Sequence, residues 1–242
     1  MLSNLYFQKL QSLIATIAAD SEPIQTAAHT CADALARGGA IHIFDSGHML
    51  SSELITRAGG LVALSQLAFA LNVTNPVKTR APAADGATLS YAYIPHAFET
   101  NQLRAGDVLI VGSVSGKSAN VVELALQGHA HGLTVIAMTA MAYSPKLVSE
   151  HPSGLHLYEA ADQVLDNHAP YGDAMLEVTG LDYPVCPASG IAAASIMWAV
   201  VAGTIDELLA RGLKPTVYPS VNRPDGPALV KQAEAEAFRK GY

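Results

Sequence analysis

A strand–loop–helix–strand unit in the middle of the sequence constrains the fold more than any other feature. Residues 107–111 are a mainly apolar run with the length of a buried strand, and they lead into the Ser/Gly-rich loop 112–118. Helical spacing follows over residues 119–131, and residues 134–138 form a second apolar run after Gly132. Because parallel strands need a crossover connection, usually a helix, the unit predicts an α/β fold with a parallel sheet.

The N-terminal part of the chain fits the same class. Apolar residues recur at helical spacing over residues 3–37, which predicts two helices. The short run 40–44 is bounded by Gly and Asp and predicts a buried strand that ends in a polar loop. Residues 72–105 have weak periodicity, and we interpret them as an excursion or a lid.

The C-terminal third adds fewer elements. Residues 163–166 are a candidate for one more short strand. A long apolar helix is predicted over residues 189–211, and a Pro-rich tail follows it. No linker in the sequence divides the chain, so we expect a single domain over residues 1–242.

Composition excludes several classes of partner. The chain is 50% hydrophobic and 14% charged, which is too apolar for disorder and typical of an α/β enzyme that buries surface in an oligomer. The net charge is −7 and the Lys and Arg residues are scattered, so no basic face is available for nucleic acid. The longest apolar stretch, residues 191–203, is shorter than the roughly 20 residues that cross a bilayer. We therefore expect neither nucleic acid nor membrane as a partner.

Cysteine content and the N-terminal segment indicate the compartment. The chain has two cysteines, Cys31 and Cys186, which do not form a disulfide framework of the secreted kind. The N-terminal segment lacks the pattern of a signal peptide. A cytoplasmic location is the expectation.

The loop 112–118 has the chemistry of an anion site. A helix N-terminus presents unpaired backbone N–H groups and the positive end of the helix dipole. The side chains of Ser113, Ser115 and Ser118 can donate hydroxyl groups, while Gly116 permits close approach of the backbone and Lys117 could add charge. A plain strand-to-helix turn with a capping serine is the simpler alternative.

Two nucleotide-binding motifs do not fit this loop. Gly116, Lys117 and Ser118 have the ending of a P-loop, but that motif needs a glycine where the chain has Val111, and Gly112 is one residue late. The dinucleotide fingerprint G-x-G-x-x-G does not occur in the sequence. A monophosphate is therefore the favoured ligand.

The loop and the strand after it resemble the signature of the SIS (sugar isomerase) phosphosugar-binding domain family. Residues 113–118 match its S-x-S-G-x-[ST] segment, and residues 132–139 match its G-x-x-x-I-A-x-T segment. The resemblance extends over nearly the whole chain and is strongest to an uncharacterised branch near the sedoheptulose 7-phosphate (phosphoheptose) isomerases.

The resemblance implies a flavodoxin-like three-layer sandwich with a five-stranded parallel sheet. It also implies a homodimer or homotetramer in which subunits share active sites. Two positions depart from the family pattern: residues 45–47 stand where a Gly-x-Gly loop is common, and Lys117 stands where a small polar residue is frequent. These departures leave the identity of the sugar open.

Aldose–ketose isomerisation needs a base that moves a proton between adjacent carbons and an acid that serves the carbonyl oxygen. Glu53 is the predicted base, because it starts the helix after the first loop, where the related isomerases carry a catalytic glutamate. A first-turn acid favoured by the helix dipole is the alternative. The candidates for the acid are His48, His151 and His168, and we prefer His168 because it follows a predicted strand.

The remaining polar candidates lie in the first loop and on the helix after it. Asp45, Ser46 and Gly47 are predicted to contact sugar hydroxyls, with capping of the next helix as the alternative. Arg57 is expected to form an ion pair rather than to catalyse. We find no secure set of metal ligands in the sequence and predict neither a metal nor a cofactor.

The sequence as a whole predicts a cytoplasmic protein that binds a phosphorylated sugar and isomerises it. A sugar-phosphate ether lyase and a non-catalytic phosphosugar sensor are the two alternatives.

Overall fold

The computed structural model describes residues 1–47, 49–69, 78–79 and 91–242. Its α-helices are α1 (Leu2–Ala19), α2 (Ser21–Ala36), α3 (Ser51–Leu54), α4 (Ile94–Glu99), α5 (Ala119–Ala130), α6 (Ser189–Ala210) and α7 (Gly226–Lys240). Its strands are β1 (Ile41–Asp45), β2 (Leu64–Gln66), β3 (Val108–Gly112), β4 (Thr134–Thr139), β5 (Gln163–Asp166), β6 (Ala174–Leu176) and β7 (Val185–Pro187). A short 3₁₀ helix spans Ser144–Lys146.

Five of the strands form one parallel sheet in the order β2-β1-β3-β4-β5. Ile41 lies opposite Val108, and Val108 lies opposite Thr134, so the first residues of three strands are aligned. Every residue of β3 is buried, as expected for a central strand that is covered on both faces. This order is that of flavodoxin-like folds, and it confirms the predicted α/β class.

Helices cover both faces of the sheet. One core packs α1, α2 and α6 against one face, and a second core packs α4 and α5 against the other. The helices α2 and α6 approach so closely that a Cβ on Gly203 would lie 2.8 Å from the Cβ of Ala28. By length and composition α6 could also cross a membrane, but its buried side chains pack within the first core.

The predicted strands and helices differ from the observed ones mainly near the C-terminus. The interpretation of the whole segment after α6 as a Pro-rich tail is wrong, because residues 226–240 form α7. Proline stands in the first turn of this helix, where its missing N–H costs no hydrogen bond. The chain before α7 returns to the body of the protein, where Val217 pairs with Leu61 in an antiparallel bridge.

Part of the predicted excursion or lid can be located. Within residues 72–105, the described residues include α4, whose Ile94 and Phe98 are buried in the second core. Residues 72–77 and 80–90 of that prediction lie outside the described residues.

Candidate functional site

The loops that follow β1 and β3 meet at the point where the strand order reverses. Ser46 joins them, because its backbone N–H and its hydroxyl both donate to the carbonyl of Gly112, at 3.0 and 3.1 Å. Open α/β sheets bind ligands in the crevice at the carboxyl ends of the strands on either side of such a reversal. The fold therefore places the first loop and the Ser/Gly loop where a ligand is expected.

Internal hydrogen bonds hold the Ser/Gly loop in a compact turn. The Ser113 hydroxyl accepts the backbone N–H of Gly116 at 3.2 Å. The Thr139 hydroxyl donates to the carbonyl of Val114 at 3.1 Å and fastens the loop to the end of β4. Thr139 closes the second signature segment of the sequence, and the structure gives it a physical role, which is to position the neighbouring loop.

The same turn leaves a row of donors unpaired. The Ser118 residue is the N-cap of α5, but its side chain makes no capping hydrogen bond, and the Ser115 hydroxyl contacts no described hydrogen-bond partner. Six backbone N–H groups of the loop and the first turn donate to no described residue: Val114, Ser115, Lys117, Ser118, Ala119 and Asn120. Backbone N–H groups and hydroxyls at a helix N-terminus are suited to bind an anion.

The turn requires glycine at position 116. Gly116 has φ +57°, and a Cβ there would lie 2.9 Å from the Ser144 Oγ and 3.1 Å from the Thr139 Oγ1. Ser144 is fully buried, and its hydroxyl has no hydrogen-bond partner among the described residues. Sequence reasoning missed Ser144, because its position a few residues after a strand carries no recognisable signal.

The charge of Lys117 is directed to a neighbouring loop. Its Nζ donates to the Glu150 Oε1 at 2.6 Å, and the Glu150 N–H donates to the carbonyl of Lys117 at 2.9 Å. The hydrogen bond to Glu150 raises the pKa of the Lys117 ammonium group. The predicted contact of Lys117 with phosphate would require this ion pair to open.

Contacts within the first loop occupy its polar groups. The Asp45 carboxylate accepts the N–H groups of Gly47 at 3.2 Å and of Leu50 at 2.7 Å. The Ser46 hydroxyl is bonded to Gly112, and Gly47 is exposed. The contact with Leu50, the N-cap of α3, fits the capping alternative for Asp45, whereas Ser46 caps no helix. Direct contact of Asp45, Ser46 or Gly47 with a sugar stays a prediction.

Glu53 lies on α3 next to the first loop. Its side chain is 41% exposed, and its Oε1 accepts a hydrogen bond from the Arg57 guanidinium at 3.2 Å. It lines a cavity of ≈ 380 Å³ together with Ser52, Ile191 and Trp198. The expected ion pair of Arg57 is therefore made with the predicted catalytic base.

His168 follows β5, the strand at one edge of the sheet, whereas Glu53 follows β1. Its Nε2 is 3.2 Å from the Asp20 Oδ2, and its Nδ1 is 3.4 Å from the Asp166 Oδ2. It lines a separate cavity of ≈ 360 Å³, which Lys9 of α1 also lines. Because β5 is three strands away from β1, the strand that precedes Glu53, roughly 14 Å separates the two strand ends. The structure does not place His168 beside Glu53 in one cavity.

The other two histidine candidates have different outcomes. His48 lies outside the described residues. The His151 Nε2 is 2.9 Å from the Glu123 Oε2, and its Nδ1 is 2.7 Å from the Ser153 Oγ. Both members of the His151–Glu123 pair are largely buried, so the pair fastens the loop around His151 to α5.

Among the described residues, no three or more His, Cys, Asp or Glu side chains are grouped so that they could hold a metal ion.

A family model identifies the domain family, and comparison with individual proteins finds UPF0309 relatives. The model of the SIS domain family matches residues 5–140. A UPF0309 protein from Streptomyces griseus is 34% identical over 207 residues, which cover 84% of this chain and 81% of that protein. A UPF0309 protein from Halalkalibacterium halodurans is 32% identical over 240 residues, which cover 97% and 94%. The chain belongs to the SIS domain family.

The matched part of this SIS-domain chain runs from α1 through β4. It contains Glu53 and the Ser/Gly loop, whereas His168 lies beyond it. Among solved structures, a phosphoheptose isomerase from Neisseria gonorrhoeae has a TM-score of 0.50 and 18% identity, covering 85% of this chain and 96% of that one. At this identity the likeness shows that the two proteins share a fold.

Proposed function

We propose that this SIS-domain protein binds a phosphorylated sugar, with the phosphate group on the Ser/Gly loop. The observation that carries the proposal is the row of N–H groups that donate to no described residue, around the hydroxyls of Ser115 and Ser118 at the N-terminus of α5. A dianionic phosphate satisfies many such donors at once, and the helix dipole favours its charge. Gly116 permits the turn that lets its neighbours present their N–H groups to the phosphate, while Ser113 shapes the turn and Lys117 is available if its ion pair opens.

We further propose that the protein isomerises its ligand between aldose and ketose, with Glu53 as the base. Glu53 supports this role by its position, because it follows the loop that adjoins the Ser/Gly loop at the strand reversal. The fold shared with a phosphoheptose isomerase is consistent with the same class of reaction. His168 and His48 stay the candidates for the acid, and residues 45–47 stay the candidates for sugar contacts.

The separation of Glu53 from His168 bears on the assembly. If His168 is the acid, it must approach Glu53 from another subunit, which agrees with a homodimer or homotetramer that shares active sites. The helix α1 supports self-association for two reasons. It lines the cavity of His168, and it exposes four apolar side chains: Leu2, Leu5, Phe7 and Ile14. We place this assembly in the cytoplasm.

Binding by the loop is tested with Ser115→Ala and Ser118→Ala. Each variant should bind phosphosugars more weakly by roughly 1–3 kcal/mol, because a hydrogen bond to a charged group is lost. Isothermal titration with a panel of hexose, heptose and amino-sugar phosphates measures the change. Thr26→Ala is a suitable control, since the exposed Thr26 hydroxyl donates to the Glu22 carbonyl within α2, away from both loops. Unchanged affinity in both loop variants would refute the assigned phosphate site.

Catalysis by Glu53 is tested with Glu53→Gln on the same panel. We expect this variant to retain binding and to lose turnover, because the amide cannot accept the proton. Full turnover would move the base elsewhere. If the unmodified protein binds these phosphosugars without turning them over, the alternative of a non-catalytic phosphosugar sensor is favoured. The separation of Glu53 from His168 supports the same alternative.

A further inference from the structure

A third cavity, with both polar and apolar lining, lies beside the segment that carries Glu53. Its volume is ≈ 400 Å³, and its walls are residues 56–58 and the segment 218–222 that follows α6. Backbone hydrogen bonds join the two walls: the Gly59 N–H donates to the Tyr218 carbonyl, and the Tyr218 N–H donates to the Gly60 carbonyl, both at 2.9 Å. The cavity is therefore held by the backbone, and its C-terminal wall lies outside the part matched by the SIS model.

Arg57 gives this cavity its charge. It is the only charged side chain among the described residues that line the cavity. The guanidinium has five N–H donors, and its NH2 group makes one contact, with the Glu53 Oε1. The remaining donors contact no other described residue and can therefore turn to a ligand in the cavity. The rest of the lining is apolar except for four uncharged polar residues: Thr56, Tyr218, Ser220 and Asn222.

Two features indicate that these groups are held in place rather than free to rearrange. Thr56 has φ +55°, a strained conformation for a β-branched residue, and such strain persists only where the surrounding structure enforces it. The Tyr218 hydroxyl lies 3.4 Å from the Glu234 Oε1, and burial followed by the charge of Glu234 raises the pKa of Tyr218. The Tyr218 hydroxyl thus stays protonated and donates its hydrogen to Glu234, which holds the ring at the cavity wall.

We propose that this cavity binds a small oxyanion, a carboxylate or phosphate group, through Arg57, and that occupancy draws the guanidinium away from Glu53. The planar fork of arginine matches both groups with two parallel hydrogen bonds, which outcompete a single contact with an exposed glutamate. The binding step is independent of the proposed reaction. The control of Glu53 rests on the catalytic role that we propose for it.

The single tryptophan of the chain reports on the site. Trp198 lines the cavity of Glu53, and its ring lies 3.3 Å from the position that a Cβ on Gly60 would occupy. Inorganic phosphate is titrated into the Ser115→Ala protein, in which the phosphate loop is weakened, at constant ionic strength while tryptophan fluorescence is recorded. We expect a saturable change. Adding Arg57→Gln should weaken it about tenfold or more, because charge-assisted hydrogen bonds are lost.

Glu53→Gln in the Ser115→Ala background is the matched control, since it breaks the same ion pair and leaves Arg57 in the cavity. This variant should keep the saturable response. Asn222→Ala serves as a second test of the lining, with thermal unfolding to verify folding, and should weaken the response. The proposal is overturned if the response is absent from the Ser115→Ala protein, or if Arg57→Gln leaves it unchanged. If the unmodified protein responds and the Ser115→Ala protein does not, phosphate binds at the loop and not in this cavity. That result overturns this site and supports the phosphate loop.

Discussion

Two loops meet at the strand reversal, and they use similar residues in opposite ways. In the first loop, the Asp45 carboxylate accepts backbone N–H groups and the Ser46 hydroxyl is bonded to Gly112. In the Ser/Gly loop, the hydroxyls of Ser115 and Ser118 make no hydrogen bond to a described residue. The polar side chains of the first loop are paired with backbone groups, whereas two of the three serine hydroxyls of the Ser/Gly loop have no described partner.

The two loops therefore have different roles: the first loop supports the fold, and the Ser/Gly loop is suited to bind a ligand. Polar groups that are already paired stabilise the fold, and a ligand must compete for them. Unpaired donors at a helix N-terminus contribute nothing to the fold until an anion arrives. Changes in the first loop should therefore act on stability first, and changes to the free hydroxyls should act on binding alone.

The largest effect is expected for Gly116→Ala. The variant should lose about 3 kcal/mol of unfolding free energy, because left-handed strain adds to crowding against Ser144 and Thr139. It should also lose phosphosugar binding, because the backbone donors move apart. Chemical denaturation and isothermal titration measure the two losses.

Gly154→Ala is the matched control for this change. Gly154 also has a positive φ, +75°, but a Cβ there would meet nothing within 4 Å. We expect a loss of about 1–2 kcal/mol from backbone strain, with binding retained. Equal effects of the two variants would mean that the crowding around Gly116 is unimportant.

Asp45→Ala is the next largest change and tests the first loop. Removing the carboxylate leaves the N–H groups of Gly47 and Leu50 without their acceptor, which should cost about 1–3 kcal/mol of unfolding free energy. Asp45→Asn keeps one acceptor oxygen and should cost less. Ser115→Ala should change stability by no more than about 0.5 kcal/mol. Loss of binding in Asp45→Asn at unchanged stability would instead establish Asp45 as a direct sugar contact.

The sequence predicted the centre of the fold better than its edges. The elements β3, α5 and β4 have strong local patterns, and each lies within one residue of its predicted bounds. The strands β2, β6 and β7 have three residues each, too few for periodicity to be recognised. The helix α7 was missed because the prolines before it obscured its pattern.

The candidate site, like the fold, could be predicted only in part from the sequence. The Ser/Gly loop could be predicted because its conformation is local to one strand-to-helix junction. The contacts of Asp45 and the distance of His168 from Glu53 depend on how separate elements pack, which residue types do not encode. The ion pair between Lys117 and Glu150 spans 33 residues and has no signature in the sequence.

The smallest effect is expected at Lys117, the charged residue of the binding loop. Because its ammonium group is held by Glu150 on an exposed surface, Lys117→Met should change phosphosugar affinity by no more than about twofold. Glu150→Gln releases the ammonium group and should tighten binding, more so at low ionic strength, because the freed charge can turn towards the phosphate. Titrations at two salt concentrations measure both changes. A large loss of affinity in Lys117→Met would mean that the ligand opens the ion pair by itself, so that the loop recruits a charge that the unliganded structure holds elsewhere.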